Sequence, residues 1–226
     1  AMNWRLSQLD KKSIVSFSDA HSPANLGREA TVFDLEDLSY QNILKAIRQT
    51  DQNNKIAYTI EFFPEEGKYH WDGHRNCNIR FSPKETLQHK GICPVCKKRL
   101  THGVMYRVEK LADRKEGQKR PNAIPYKSLV PLQEIIAESL NVGKNTKSVQ
   151  EQYESLIKEG QNEFNILLHL PIEEIKNITL PKIAEGIEKV RKGNLHIIPG
   201  YDGVFGTVKV FSEKEKETLS GQSTLF

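Results

Sequence analysis

Three cysteines and a histidine carry the clearest chemistry in this chain. His74 and Cys77 are separated by two residues, as are Cys93 and Cys96, and fifteen residues lie between the pairs. Each pair can turn two soft or borderline donors towards one ion, and two such knuckles at this separation match the spacing of a structural zinc site. Four protein ligands close a tetrahedron and leave no position for water, so the ion is expected to hold loops together and not to activate a nucleophile. His74 completes the symmetric pair with Cys77. His70, four residues earlier, and His89 and His102, which flank the second pair, are the alternatives for the fourth ligand.

A second pair with chemical potential, Asp19 and His21, follows a short apolar run from Ser13 to Phe17 that reads as a buried strand. Side chains two apart on an extended segment share a face, and the C-terminal end of a strand is where α/β barrels keep their functional groups. That geometry suits one shared metal centre. An Asx turn beside a surface histidine is the other reading of the same spacing.

The elements that must position these groups follow from periodicity and caps. Ser39 can cap a helix reaching about Gln49, with Ile43, Leu44 and Ile47 on one side. Ile56, Tyr58, Ile60 and Phe62 alternate at period two, as in a half-buried strand leading into the metal module. Between the knuckles, Ser82, Pro83 and Glu85 form a capping box with proline at the first helical position. Val104, Met105, Val108, Leu111 and Ala112 continue at helical spacing, and residues 117–125 read as a linker. Three further helices are expected: one opened by Pro131, one carrying Val149, Tyr153, Leu156 and Ile157 and stopping at Gly160, and one from Pro181 to near Gly193. Leu195 to Ile198 and Val204 to Phe211 read as a hairpin, with Tyr201 and Phe205 as the two aromatics that could stack on an exposed base, although packing of the turn is the expected role of both.

With 226 residues, the chain can hold one large or two small domains. No apolar run approaches the ~18–20 residues that cross a bilayer, and the N-terminus has neither the charged start nor the apolar middle of a signal peptide. No membrane partner is therefore expected. Cysteines arranged as ligands point to a reducing, cytoplasmic setting. A net charge of +4 does not by itself indicate nucleic acid. Lys189, Arg191 and Lys192 end a later helix, where cations are favoured, and any one cluster can be a solvated face; two clusters beside the zinc module, at Lys97, Lys98 and Arg99 and at Arg114, Lys115, Lys119 and Arg120, shift the balance towards a phosphate-contacting surface.

The stretch Ser18 to Pro23 (SDAHSP), followed by Asn25 to Ala30 (NLGREA), resembles the last metal-binding motif of the polymerase and histidinol phosphatase (PHP) superfamily. More closely, the chain resembles the endonuclease Q family, through Glu61 to His70 (EFFPEEGKYH), the knuckles, Val108 to Arg114 (VEKLADR), Pro125 to Leu129 (PYKSL) and Pro199 to Val204 (PGYDGV). The resemblance implies an α+β fold made of a remnant of an α/β PHP barrel (residues 1–50), a zinc-binding module (51–126), a helical domain (127–193), a C-terminal β-hairpin (194–213) and a tail (214–226). It implies metal-dependent nicking of DNA 5′ to deaminated bases (uracil, hypoxanthine) and abasic sites, with magnesium, manganese or zinc at the nuclease centre. Asp19 and His21 would be what remains of that centre. The superfamily's His-x-His is absent and His21 is the only histidine before His70, so most of the catalytic half is expected to be missing and the catalytic site incomplete. A non-catalytic zinc-dependent module binding nucleic acid or protein is the alternative reading. The last residues, Gln222, Leu225 and Phe226, resemble the short peptide by which bacterial proteins dock on the sliding clamp.

Overall fold

An antiparallel pair begins the architecture. Strand β1 (Ala30–Asp34) runs against β2 (Lys55–Glu61) with Ala30 opposite Ile60 and a register shift between Val32 and Phe33. In this computed structural model, which describes residues 1–118, 120 and 122–215, two units can be distinguished. The first holds residues 1–128 and 198–207; the second holds 129–197 and continues from 208.

In the first unit, helix α1 (Met2–Arg5) precedes the sheet, and α2 (Tyr40–Arg48) joins β1 to β2. The Ser39 hydroxyl accepts from the Asn42 amide at the start of α2, as the sequence predicts, and the helix ends at Gln49, which adopts the left-handed conformation. Burial along β2 is less regular than its alternation implies: Ile56 and Ile60 are buried, but so is Thr59. The short strands β3 (Asp72–His74) and β4 (Ile79–Phe81), helix α3 (Pro83–Gln88) and helix α4 (Val104–Leu111) form the metal module. Strand β5 (Tyr126–Ser128) then returns to the sheet and pairs in parallel with β2. Ion pairs tie the N-terminus to the end of α4. Arg5 meets Glu109 at 2.7 Å, and Arg114 grips both oxygens of Asp10, which holds that carboxyl below its ordinary range.

The expected strand at Ser13 to Phe17 does not form. The segment joins no ladder, and Phe17 is 64% exposed. Its backbone is held instead by a side chain: the Ser16 amide donates to Thr31 Oγ1, and that hydroxyl donates back to the Ser16 carbonyl. A side chain that satisfies both backbone groups replaces a neighbouring strand.

The second unit is helical: α5 (Leu132–Leu140), α6 (Lys147–Gly160), α7 (Glu163–Leu168), α8 (Ile172–Ile178) and α9 (Pro181–Lys192). Its core comprises fully buried Leu132, Ile135, Ile136, Leu156, Ile166, Ile175, Ile183 and Ile187, with Phe211 closing it. Glu138 accepts from the amides of Val210 and Phe211, and Lys182 and Lys189 lie over the Phe211 ring at 4.1 and 4.8 Å. Strands β6 (His196–Ile198) and β7 (Thr207–Lys209) pair as the expected hairpin, the second strand shorter than its apolar run. Gln222, Leu225 and Phe226 lie outside the described residues.

Truncating Ile183 to alanine removes a side chain with no exposed surface, so the helical unit should lose about 2–5 kcal/mol. Leu38→Ala, at a position 90% exposed, should stay within about 0.5 kcal/mol. Urea denaturation followed by far-ultraviolet circular dichroism measures both, and equal effects would remove the assignment of this core.

Candidate metal centre

Each ligand pair sits at the tip of its own hairpin. In the first, β3 and β4 pair with His74 opposite Ile79; a 3₁₀ turn over Arg75–Cys77 and a left-handed Asn78 reverse the chain between them. In the second, Ile92 bridges Arg99, the Cys93 amide donates to the Lys98 carbonyl at 2.8 Å, and Lys97 takes the positive φ that the tight turn requires. The hairpins are fastened to each other where Gly73 and Thr101 exchange amide–carbonyl bonds of 3.0 and 2.8 Å. Helix α3 fills the connection, with its capping box formed by Ser82 and Glu85.

This scaffold brings the donor atoms of His74, Cys77, Cys93 and Cys96 within 4.8 Å of one another, with Nδ1 of His74 3.6 Å from Sγ of Cys96. A tetrahedral zinc with Zn–S near 2.3 Å and Zn–N near 2.0–2.1 Å places neighbouring ligand atoms about 3.5–3.8 Å apart. The four residues therefore fit zinc in donor type, number and spacing. Cys93 is buried and the other three are half-buried. Burial, followed by hydrogen bonds with the thiols of Cys96 and Cys93, pushes the Cys77 thiol up to about 11. At Cys93 burial also acts upward, but the backbone amides of Cys96 and Val95 aim at the sulfur and bring the thiol below its ordinary value.

The other histidines stand elsewhere. His70 is bonded to the backbone of Pro64, and burial lowers its pKa. His89 stacks on Phe81 at 4.7 Å, and His102 stacks on Tyr106 at 3.9 Å. Among the described residues, the only group of three or more converging metal-type donors is the His–Cys₃ cluster. Asp19 and His21 are exposed, Asp19 has a positive φ, and Nδ1 of His21 lies 2.8 Å from the Asp19 carbonyl oxygen. Two such side chains do not enclose an ion, so no catalytic step can be derived from them.

Sequence reasoning missed what supports the first hairpin. Tyr201 is 7% exposed, bridges Trp71, and donates its hydroxyl to Asn78 Oδ1 at 2.9 Å. Its ring lies on Gly73, where an added Cβ would come within 2.3 Å of it. The Arg75 amide donates to Asp202 at 2.7 Å. Asp72 is fully buried, and one of its oxygens accepts from the Gly103 amide at 2.6 Å. The signal in the sequence was the pair of glycines, Gly73 and Gly200, the first packed against the Tyr201 ring and the second against the backbone of Gly67, Val204 and Gly206.

The basic clusters divide into structural and open members. In α9, Arg191 donates to the carbonyls of Ile166 and Leu167, Lys192 pairs with Glu188, and Lys189 pairs with Glu215. Arg114 and Arg120 are engaged by Asp10 and Asn3. Lys98 and Arg99, on the second knuckle, are exposed and make no ion pair among the described residues.

A His–Cys₃ knuckle pair of this geometry fits a zinc-binding module, and comparison with known proteins makes the likeness specific. Residues 6–51 match the PHP-associated family model, and residues 131–194 match the model of the MJ0043 C-terminal domain. Protein MJ0043 from Methanocaldococcus jannaschii is 36% identical over 88% of this chain and 26% of its own length. YqxK from Bacillus subtilis is 29% identical over 90% of this chain and 48% of its own length. The crystal structure of the lesion-specific endonuclease PfuEndoQ from Pyrococcus furiosus superposes with a TM-score of 0.82 at 30% identity, covering 97% of this chain and 55% of that one. Endonuclease Q bound to a 27-mer duplex with an abasic lesion at the active site gives a TM-score of 0.77 at 30% identity, over 95% of this chain and 54% of that one. The chain is thus similar to endonuclease Q over nearly all of its residues, and it spans about half the length of those solved structures and between a quarter and a half of the curated relatives.

Protein purified without chelator should carry one zinc per chain by elemental analysis, and Cys93→Ser should lose it. Because metal binding at such a site is folding free energy, chelation should raise hydrogen exchange over residues 67–114 and leave the helical unit protected. Zinc-free protein with unchanged protection there would refute the assignment.

Proposed function

We propose that this chain is the DNA-gripping portion of a DNA-repair endonuclease of the endonuclease Q type, acting 5′ to deaminated bases such as uracil and hypoxanthine and to abasic sites. The observation that carries this reading is the 0.82 TM-score match at 30% identity, over 97% of the chain, to an endonuclease named for its lesion specificity. The solved relative with a duplex substrate adds support for DNA as the partner. The zinc cluster would set the shape of the knuckle surface that meets phosphate, with Lys98 and Arg99 contributing charge. Asp19 and His21 are proposed as two ligands of the divalent metal at the nuclease centre. Such an ion would supply charge stabilisation at the scissile phosphate when bound. With no third ligand converging on them among the described residues, this chain by itself is proposed to bind DNA without cutting it.

Gel assays with uracil-, hypoxanthine- and abasic-site duplexes, with magnesium or manganese added, test both halves. Salt-sensitive binding without nicking is expected. Lesion-specific nicking by the 226-residue chain would show that its catalytic set is complete. Absence of binding at low salt would favour the second reading, a module for protein partners.

The C-terminal residues Gln222, Leu225 and Phe226 are proposed to dock on a bacterial sliding clamp, two apolar anchors entering a preformed pocket while the glutamine supplies hydrogen bonds. A peptide of about the last ten residues should bind a purified clamp at micromolar concentration and lose binding when Leu225 and Phe226 become alanine. No saturable binding at millimolar peptide would end this proposal.

A further inference from the structure

The turn that supports the first knuckle also presents a surface of its own. Phe205 is 70% exposed and Tyr69 47% exposed, and the Lys68 ammonium lies 5.7 Å from the centroid of each ring, so both rings border one volume occupied by a cation. Arg75 is exposed alongside: a Cβ placed on Gly203 would lie 3.4 Å from its guanidinium and 3.7 Å from the Tyr69 hydroxyl. The adjacent acid, Asp202, is engaged by the Arg75 amide.

This surface is rigidly mounted. Tyr201 and Val204 exchange backbone bonds of 3.0 and 2.8 Å, the Gly203 amide donates to Lys68, the Gly206 amide to Glu66, and the Gly200 amide to Glu65. A side chain at Gly206 would come within 2.0 Å of the Glu65 carbonyl oxygen, so the backbone is docked as closely as glycine allows. A loop fixed this firmly could have turned Phe205 inward; it holds the ring in solvent. Its charge setting is mainly basic: residues 67–102 contain eight lysines and arginines against two acids, Asp72 and Glu85, while Glu65 and Glu66 lie just before them and Glu66 pairs with Arg28. Asp72 is fully buried, and Glu85 accepts from Ser82 in the helix cap.

From this juxtaposition we infer that Phe205 and Tyr69 form a stacking platform for one unpaired nucleotide of a DNA strand, with Lys68 and Arg75 meeting the flanking phosphates. Charge complementarity selects a polyanion, and exposed rings bordering a cation select the face of a base over a protein side chain. The inference rests on the proposed DNA-binding function and adds which residues would sense an unstacked nucleotide.

The test uses the full chain and two fluorescent DNA duplexes, one fully paired and one with a single unpaired 2-aminopurine. Wild type should bind the second more tightly and alter its 2-aminopurine emission. Phe205→Ala should lose about tenfold of that preference and leave affinity for the paired duplex within about twofold. Phe205→Trp should restore it. Lys68→Gln and Arg75→Gln should weaken both duplexes alike and each reduce the salt slope by about one. Circular dichroism and zinc content, expected to be unchanged, confirm folding of every variant. Binding to both duplexes with the preference intact in Phe205→Ala overturns this inference alone. No DNA binding by wild type overturns the proposed function as well.

Discussion

The first unit depends on the convergence of four donors carried by two hairpins too short to stand alone. Strands of three residues bury little, and an isolated hairpin of this size is marginal in water. What makes them one object is the exchange between Gly73 and Thr101, the packing of Tyr201 on Gly73, and the meeting of His74, Cys77, Cys93 and Cys96. Without an ion, three thiols, one of them pushed up to about 11, face each other in a partly buried space. A divalent soft-acceptor ion replaces those protons with bonds and converts a crowded polar cluster into a crosslink.

Much of this was legible in the sequence where the signal is local. Ligand spacing located both knuckles, Ser39 and Ser82 marked their helices, and Gly193 closed α9. Non-local facts were harder to read. The run at Ser13 to Phe17 looks like a strand, but whether it enters a sheet depends on what lies beside it, and Thr31 takes the place of a partner strand. Helices α7 and α8 were missed because they are only six and seven residues long, too short for a convincing period, although Asn162 caps the first and Pro171 precedes the second. Tyr201 could be read as stacking or packing; its environment decides for packing, while Phe205, four residues on, remains in solvent.

The basic residues show why charge clusters in a sequence are an ambiguous guide. Arg191 caps the end of α7 through backbone carbonyls, and Arg114 and Arg120 hold the N-terminal segment. These guanidiniums are structural, whereas Lys68, Arg75, Lys98 and Arg99 on the metal module face solvent. That distribution of open charge is what the proposed DNA-binding role draws on in the first unit.

The central claim, that a metal-held knuckle pair creates a DNA-binding surface, is tested most directly by measuring affinity for an abasic-site duplex in zinc-loaded protein, after chelation, and after zinc is restored. The account predicts that chelation weakens binding by about tenfold or more, since several phosphate contacts depend on the ordered module, and that added zinc recovers it. Affinity that does not change through the cycle, while elemental analysis confirms that the metal has left and returned, would contradict it.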